Sequence, residues 1–229
     1  MMLDTRAGAF ASLKKNVPTV EANRCLLPVF AIEPIDCHIR SIAGDIGIFV
    51  SANAVDCFYR AGSLHVTHLF AIGTRTQQAL QNKGFKNIVI PDIFSSDGLL
   101  QIPLLSNVSG KTIVIVCGEN AKPLLFNTLE ARGARITRII CYRRVPIHYN
   151  MTKTFSVLSH HPIQTVFSGS FESLQQLMML FHRKAHHAWL LKKTLYVMTE
   201  KMREEAVRLG FAEVVLREGG CEGECEFRG

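Results

Sequence analysis

An α/β protein with parallel sheets covered on both faces is the fold class this sequence predicts, and three observations predict it. Five times a short apolar run breaks at a small polar turn and enters a helix-like segment. Glycines at Gly62, Gly84, Gly133 and Gly210 each close an amphipathic stretch, where a helix C-terminus calls for positive φ. Two stretches, Arg75 to Ile90 and Glu200 to Leu216, share the order helix, Gly-Phe, apolar run, which reads as an internal repeat of one α/β lobe. Alternation at these lengths implies βαβ units rather than a sandwich or a bundle.

In chain order, a short strand near Met2 precedes a helix candidate from Ala9 to Lys15, which Pro18 ends, and the run Cys25 to Phe30 follows. The five strand–turn units come next: Ile46 to Val50 with Ser51-Ala52-Asn53, His68 to Ile72 with Gly73-Thr74, Ile113 to Cys117 with Gly118-Glu119-Asn120, Thr165 to Phe167 with Ser168-Gly169-Ser170, and Thr194 to Met198 with Thr199. Further strands are expected at Ile88 to Ile90, Ile136 to Ile140 and Val214 to Leu216, and an insertion at His182 to Lys193. Only three strands follow residue 150, too few for an independent sheet, so the N-terminal stretch is expected to complete it. The expected organisation is a discontinuous outer lobe, 1–33 with 148–229, and a continuous inner lobe, 38–143. Connectors near 29–37 and 141–148 hold Pro34 and Pro146, which mark extended chain. The tail from Glu218 has no helical period, so a closing helix is missing.

With 48% apolar residues in 229, the chain can fill its cores without staples. Its charge of +7 favours acidic partners, but the basic residues are dispersed and not interleaved with aromatics, which argues against nucleic acid. The seven cysteines follow no framework spacing, and Cys221-x-x-x-Cys225 lacks a second pair for zinc. His182 and His186 stand four apart on an expected helix, yet no third ligand lies nearby, so a solvated basic face is expected there and no metal. No leader pattern opens the chain, no run approaches a membrane span, and no exposed apolar stripe is apparent. A cytoplasmic monomer without a membrane partner is expected.

Chemistry is expected at the carboxyl ends of the strands, where open α/β sheets bind ligands and helix N-termini present N–H groups to anions. The turns offer Ser51, Asn53, Thr74, Thr76, Asn120, Ser168, Ser170 and Thr199. Each could simply cap its helix; five such turns facing a common gap point instead to a shared ligand site. Gly118-Glu119-Asn120-Ala121-Lys122 is not a phosphate loop, and Gly44-Asp45-Ile46-Gly47 precedes a strand where a dinucleotide loop would follow one. No serine has nucleophile-elbow context. Tyr142, beside Arg143 and Arg144 where a strand leaves the inner lobe, is either a proton donor eased towards ionisation by those guanidinium groups or a tyrosine packed at a hinge.

The string Ile48-Phe49-Val50-Ser51-Ala52-Asn53-Ala54-Val55, then Ala71-Ile72-Gly73-Thr74-Arg75-Thr76 with Ala79-Leu80 and Gly84, then Ser96-Asp97-Gly98-Leu99-Leu100, resembles the uroporphyrinogen-III synthase family. The resemblance runs on through Gly110 to Ile115, Leu129 to Ala134, Cys141-Tyr142-Arg143-Arg144, Phe167-Ser168-Gly169-Ser170 and Thr199-Glu200-Lys201. It implies two flavodoxin-like lobes joined by a two-stranded connector, with the outer lobe formed from both chain ends. It also implies a cofactor-free carbon–oxygen lyase that closes the linear polycarboxylate hydroxymethylbilane with loss of water, inverting ring D through a spiro intermediate. Carried onto this chain, the general acid is Tyr142. Substrate-binding positions on the matched motifs and turns are Ser51, Asn53, Thr76, Ser96, Gly118, Asn120, Ser168, Ser170 and Thr199. Thr5-Arg6 resembles the family's opening Thr-Arg-Pro with Ala7 for proline; Cys117 stands where many bacterial members have arginine, and Met202 where some have threonine. The competing expectation is a non-catalytic two-lobe module that binds an anionic small molecule.

Overall fold

The structure is a computed structural model and describes residues 1–6, 18–38 and 40–217. The expected helix from Ala9 to Lys15 and the polar tail with Cys221 and Cys225 lie outside the described residues. The elements run β1 (Met2–Asp4), β2 (Thr19–Val20), β3 (Arg24–Leu26), β4 (Phe30–Pro34), β5 (Ser41–Phe49), α1 (Ala52–Ala61), β6 (Ser63–Ala71), α2 (Thr74–Gln81), β7 (Ile88–Val89) and α3 (Ser96–Gln101). A 3-10 turn, Pro103–Leu105, leads to β8 (Thr112–Gly118), α4 (Leu124–Ala131), β9 (Arg135–Pro146), α5 (Met151–Ser159), β10 (Thr165–Phe167), α6 (Phe171–Leu180), α7 (Lys184–Leu191), β11 (Thr194–Val197), α8 (Glu200–Arg208) and β12 (Glu213–Leu216).

Two compact units result, Met1–Ile32 with Val145–Gly229 and Glu33–Arg144. The first holds a sheet of order β12-β11-β10-β1-β3-β2, parallel except for the antiparallel pair β2 and β3. The second holds β4-β9-β8-β5-β6-β7, with β9, β8, β5, β6 and β7 parallel throughout. Along β4 and β9 the chains run in opposite directions: Ile35 N–H donates to Cys141 O, whereas Ile147 N–H donates to Val29 O. Both passages between the units fall in this strand pair, and Pro34 and Pro146 end its two strands. The predicted α/β class, with two parallel-dominated sheets and one unit drawn from both chain ends, is the observed one.

Central strand β8 shows why parallel pairing suits this sequence. Residues 113–118 are all buried, with Ile113, Ile115 and Cys117 facing a core shared with Leu99 of α3 and Leu125 and Leu129 of α4. The opposite face is covered by α1, whose Phe58 and Tyr59 rings lie 5.8 and 5.9 Å from Phe49. In the first unit, Leu3, Cys25, Val166 and Leu195 from four adjacent strands share a core with Leu174, Leu177 and Phe181. Such a strand, covered on both faces, reads as a continuous apolar run.

Several local expectations are corrected. Strands β5 and β6 start at Ser41 and Ser63, five residues ahead of their apolar runs, because Ser41 through Gly44 pair with Ser63 through Val66 on a half-exposed part of the sheet where hydropathy carries little signal. The segment Gly44-Asp45-Ile46-Gly47 therefore lies inside a strand. A side chain at Gly47 would place its Cβ 2.8 Å from Leu64 Cδ2, so the glycine serves packing. Gly84, Gly133 and Gly210 have φ of +90°, +85° and +93°. Gly62 is extended instead, at φ −159°, because β6 begins at the next residue. The third turn does not enter a helix at once: Ala121 N–H closes a turn onto Gly118 O, and Pro123 opens α4 at Leu124.

The expected insertion carries helix α7, and its histidines do not form a solvated pair. His182 precedes α7, while His186 is buried and stacks on Phe155 with ring centroids 4.0 Å apart. Its Nδ1 is buried without a hydrogen-bond partner among the described residues. No metal-binding cluster of three His, Cys, Asp or Glu occurs among the described residues. Burial, then the charges of Arg183 and His182, lowers the His186 pKa below the 6.5 of a free imidazole. A depressed histidine pKa contributes stability above the unfolded value and loses it as pH falls below it. Urea midpoints measured from about pH 7.5 down to about pH 5 are expected to fall less steeply in His186→Phe, which keeps the stack, than in the wild type.

Candidate functional site

Strand order reverses once in each sheet, and the polar turns gather there. From β5 the chain moves outward through β6 to β7, whereas β8 and β9 lie on the other side, so the carboxyl ends of β5 and β8 flank a switch point. In the first unit β1 is followed by β2 and β3 on one side, and β10, β11 and β12 extend on the other. Helices leave such adjacent strand ends in opposite directions, which opens a crevice lined by backbone donors.

At the second unit's switch point three predicted residues meet. Ser51 caps α1, accepting from Ala54 N–H at 3.0 Å, and its hydroxyl lies 3.0 Å from the phenol oxygen of Tyr142. Tyr142 is 5% exposed, and its ring packs on Gly118, where an added Cβ would sit 2.6 Å from the ring Cζ. A bulge aims that ring: Cys117 pairs with Ile140 but Gly118 pairs with Tyr142, so Cys141 is the extra residue. Bulges redirect the side chains that follow them. A chain of hydrogen bonds can thus run from the helix N–H through the Ser51 hydroxyl to the phenol, in which either hydroxyl can be the donor to the other. Such chains polarise their members.

Arg143 does not serve the phenol: exposed, it is bound to Glu33, with Nε 2.7 Å from the carboxylate. The cysteines nearby are not nucleophiles. Cys141 and Cys117 are fully buried, and burial pushes both thiols above their ordinary range. A buried neutral thiol is inert.

Other predicted positions are dispersed along the same edge. Asn53 is half-buried in the first turn of α1, and Asn120 is exposed just after Gly118. Thr76 is buried in the first turn of α2, whose cap, Gly73, supplies no side-chain acceptor. Ser96 opens α3, but Ser95 is its cap, accepting from Gly98 N–H at 3.0 Å. Gly98 is required there because a Cβ would lie 1.9 Å from Ile93 O.

At the first unit's edge Ser168 is buried and donates to Ser170 O at 3.3 Å. Ser170 caps α6 through Ser173 N–H at 3.1 Å, and Thr199 caps α8 through Met202 N–H at 3.3 Å. Capping and ligand binding are compatible, since a hydroxyl that accepts from a backbone N–H keeps its own proton to donate. Thr5, absent from the expected set, is fully buried and donates to Phe167 O at 2.9 Å, tying β1 to β10. Its signal was the polar run Asp4-Thr5-Arg6 directly after the apolar Met2-Leu3.

Fold and site together define a doubly wound α/β protein in two units, with hydroxyl-rich strand ends at each reversal of strand order. The model of the uroporphyrinogen-III synthase HemD family matches residues 16–219. Uroporphyrinogen-III synthase of Escherichia coli (strain K12) is 36% identical over 146 residues, which are 63% of this chain and 59% of that protein. The Salmonella typhimurium enzyme is 34% identical over the same shares, so the chain spans about three fifths of the length of these relatives. Among solved structures, uroporphyrinogen-III synthetase from Helicobacter pylori 26695 has a TM-score of 0.63 at 10% identity, covering 96% of this chain and 94% of that one. Uroporphyrinogen III synthase from Thermus thermophilus, a triple mutant, gives 0.52 at 16% identity over 94% and 92%. At these identities the structural likeness speaks for the fold. The chain belongs to the uroporphyrinogen-III synthase family.

Gly118→Ala should force the Tyr142 ring aside, with a loss of about 1–3 kcal/mol of stability from overpacking. In a Tyr142→Ala background, where the ring is gone, the same substitution should cost much less. Chemical denaturation of the two singles and the double measures that difference.

Proposed function

We propose that this chain closes hydroxymethylbilane to uroporphyrinogen III, acting as a carbon–oxygen lyase whose chemistry needs no metal or organic cofactor. The observation that carries the reading is the Tyr142 phenol, held by the cap of α1 and by Gly118 at a sheet switch point, in a chain whose family membership spans most of its length. A cytoplasmic monomer acting on a small polycarboxylate, with neither nucleic acid nor membrane as partner, completes the proposal. Among the described residues no helix is long and apolar enough to cross a membrane.

In this reading Tyr142 gives its proton to the departing hydroxyl, which leaves as water while the pyrrole nitrogen lone pair forms the azafulvene. Ring D is attacked at its substituted carbon, and the spiro intermediate rearranges. The proton lost from the ring system on closure returns to the phenolate, so the site ends as it began. Ser51 stabilises that phenolate by donating to it, assisted by the N-terminal dipole of α1. Hydroxyls and free helix N–H groups at Thr76, Asn53, Ser170 and Thr199 are suited to the substrate's carboxylates. Orientation is the larger contribution, because the azafulvene closes unaided to the wrong isomer and the protein must select the attacked carbon.

Incubation with hydroxymethylbilane followed by chromatographic separation of the type I and type III isomers is expected to give type III. A mixture matching the enzyme-free control would mean a binding module instead. Tyr142→Phe should lower kcat by about 100-fold or more with KM little changed, as for loss of a general acid. Undiminished turnover would assign hydroxyl loss to the substrate's own lability. Ser51→Ala should cost about 1 kcal/mol of stability as a lost cap and lower kcat by less than Tyr142→Phe, as read by melting and by the isomer assay.

A further inference from the structure

The cysteines of the second unit, Cys37, Cys57, Cys117 and Cys141, gather along one side of helix α1, and all are free thiols. Cys141 Sγ lies 3.4 Å from Ala54 O in the first turn of that helix and 3.5 Å from Cys117 O beneath it. Cys57 stands one turn further along the same buried face as Ala54 and is 4% exposed. Cys37 differs from the other three in being only half-buried. It is the middle residue of a turn in which His38 N–H donates to Asp36 Oδ1 at 2.9 Å, between the end of β4 and the start of β5.

Two anchors set the height of Cys37 along the helix. Before it, Ile35 N–H donates to the carbonyl of Cys141, whose thiol touches Ala54. After it, Arg40 O accepts both from the backbone N–H of Ser63 at 3.2 Å and from its hydroxyl at 3.3 Å, just past the end of α1. From Ala54 to Ser63 the helix direction advances roughly 14 Å at about 1.5 Å per residue. The chain from Ile35 to Arg40 reaches at most roughly 17 Å at about 3.4 Å per residue, so little slack remains between the anchors. Cys37, two residues in from the first anchor, is therefore level with the turn that carries Cys57. Electrostatics agree with that placement. Burial pushes the Cys57 thiol up, and the charge of Cys37 is among those that act on it. Burial, then Cys57, Cys37 and Cys117, pushes Cys141 up.

We propose that Cys37 and Cys57 are a redox pair: a low-molecular-weight disulfide such as oxidised glutathione reacts at Cys37, and Cys57 converts the product into an internal bridge. The pair does not depend on the ring-closing reaction proposed above. In the first step the Cys37 thiolate attacks one sulfur of oxidised glutathione and expels one glutathione thiolate, leaving a mixed disulfide. In the second, Cys57 gives its proton to solvent base, attacks the Cys37 sulfur and expels the other glutathione thiolate. Two protein thiols become one disulfide while one reagent disulfide becomes two thiols. The division of roles follows from exposure: Cys37 meets the reagent, whereas buried Cys57 meets a sulfur only when Cys37 presents one. Cys141 is not the partner, because its thiol is turned under the helix towards Ala54 O and Cys117 O. The bridge fixes the chain that follows β4 to the helix whose cap, Ser51, holds the Tyr142 phenol.

The full chain, fully reduced and then incubated with oxidised glutathione without denaturant, is quenched in acid, alkylated with N-ethylmaleimide and digested without reduction. Linkage is read peptide by peptide in the mass spectrometer, because the chain also carries Cys25, Cys221 and Cys225. The wild type is expected to yield a peptide pair joined through Cys37 and Cys57, absent from samples treated with dithiothreitol. Cys57→Ala should halt at the first step, with glutathione retained on Cys37. Cys37→Ser should leave Cys57 as a free thiol, since no sulfur is then delivered to it. Glutathione that stays on Cys37 in the wild type, a Cys37 that does not react, or a bridge from Cys37 to any other cysteine would overturn the proposal. Should Cys57→Ala fail to fold, as judged by circular dichroism, the wild-type linkage map and Cys37→Ser decide by the same outcomes.

Discussion

Parallel strands buried on both faces leave a polar side chain no acceptable place along their length, because an unpaired polar group in such a core loses its water and gains nothing in return. In β8 every residue from Ile113 to Gly118 is buried, and Glu119 and Asn120 stand just beyond its end, whereas the partly exposed neighbour β9 carries Thr137 and Arg138 within its length. The same constraint governs β1, whose buried Asp4 is tolerated because Arg6 answers it at the edge. From that exclusion follow the capped helices, the polar turns and the gathering of chemistry at each reversal of strand order.

Backbone geometry then selects among those turns. Ser51, Ser170 and Thr199 all cap helices, yet Ser51 alone of the three is bonded to a tyrosine phenol. That contact depends on a single extra residue, Cys141, in strand β9 and on a glycine opposite it. A side chain at position 118 would occupy the space of the ring, so the small residue and the large one specify each other. Cys117, where many relatives are expected to carry arginine, faces the core instead and contributes packing to the second unit.

Charge is used sparingly at both edges. Arg143 is drawn to Glu33 and Arg138 lies over the Phe126 ring while donating to Glu119 O, so these cations are committed to the protein itself. Arg6 is committed as well, to the buried carboxylate of Asp4.

Strand–helix alternation, the glycine stops at Gly84, Gly133 and Gly210, and the capping roles of Ser51, Ser170 and Thr199 were legible in the sequence, because each depends on residues within a turn or two of one another, and the completion of one sheet by both chain ends was legible from the shortage of strands after residue 150. The half-exposed starts of β5 and β6 were not, since pairing rather than hydropathy makes them strands. Nor was the burial of His186, which depends on Phe155 of another helix. Tyr142 could be singled out by its neighbours, but its partnership with Ser51 and Gly118 spans 91 residues in one direction and a bulge in the other. Local preference is written into adjacent residues; which distant side chains share a strand end is decided only when register, twist and bulge bring the strands together.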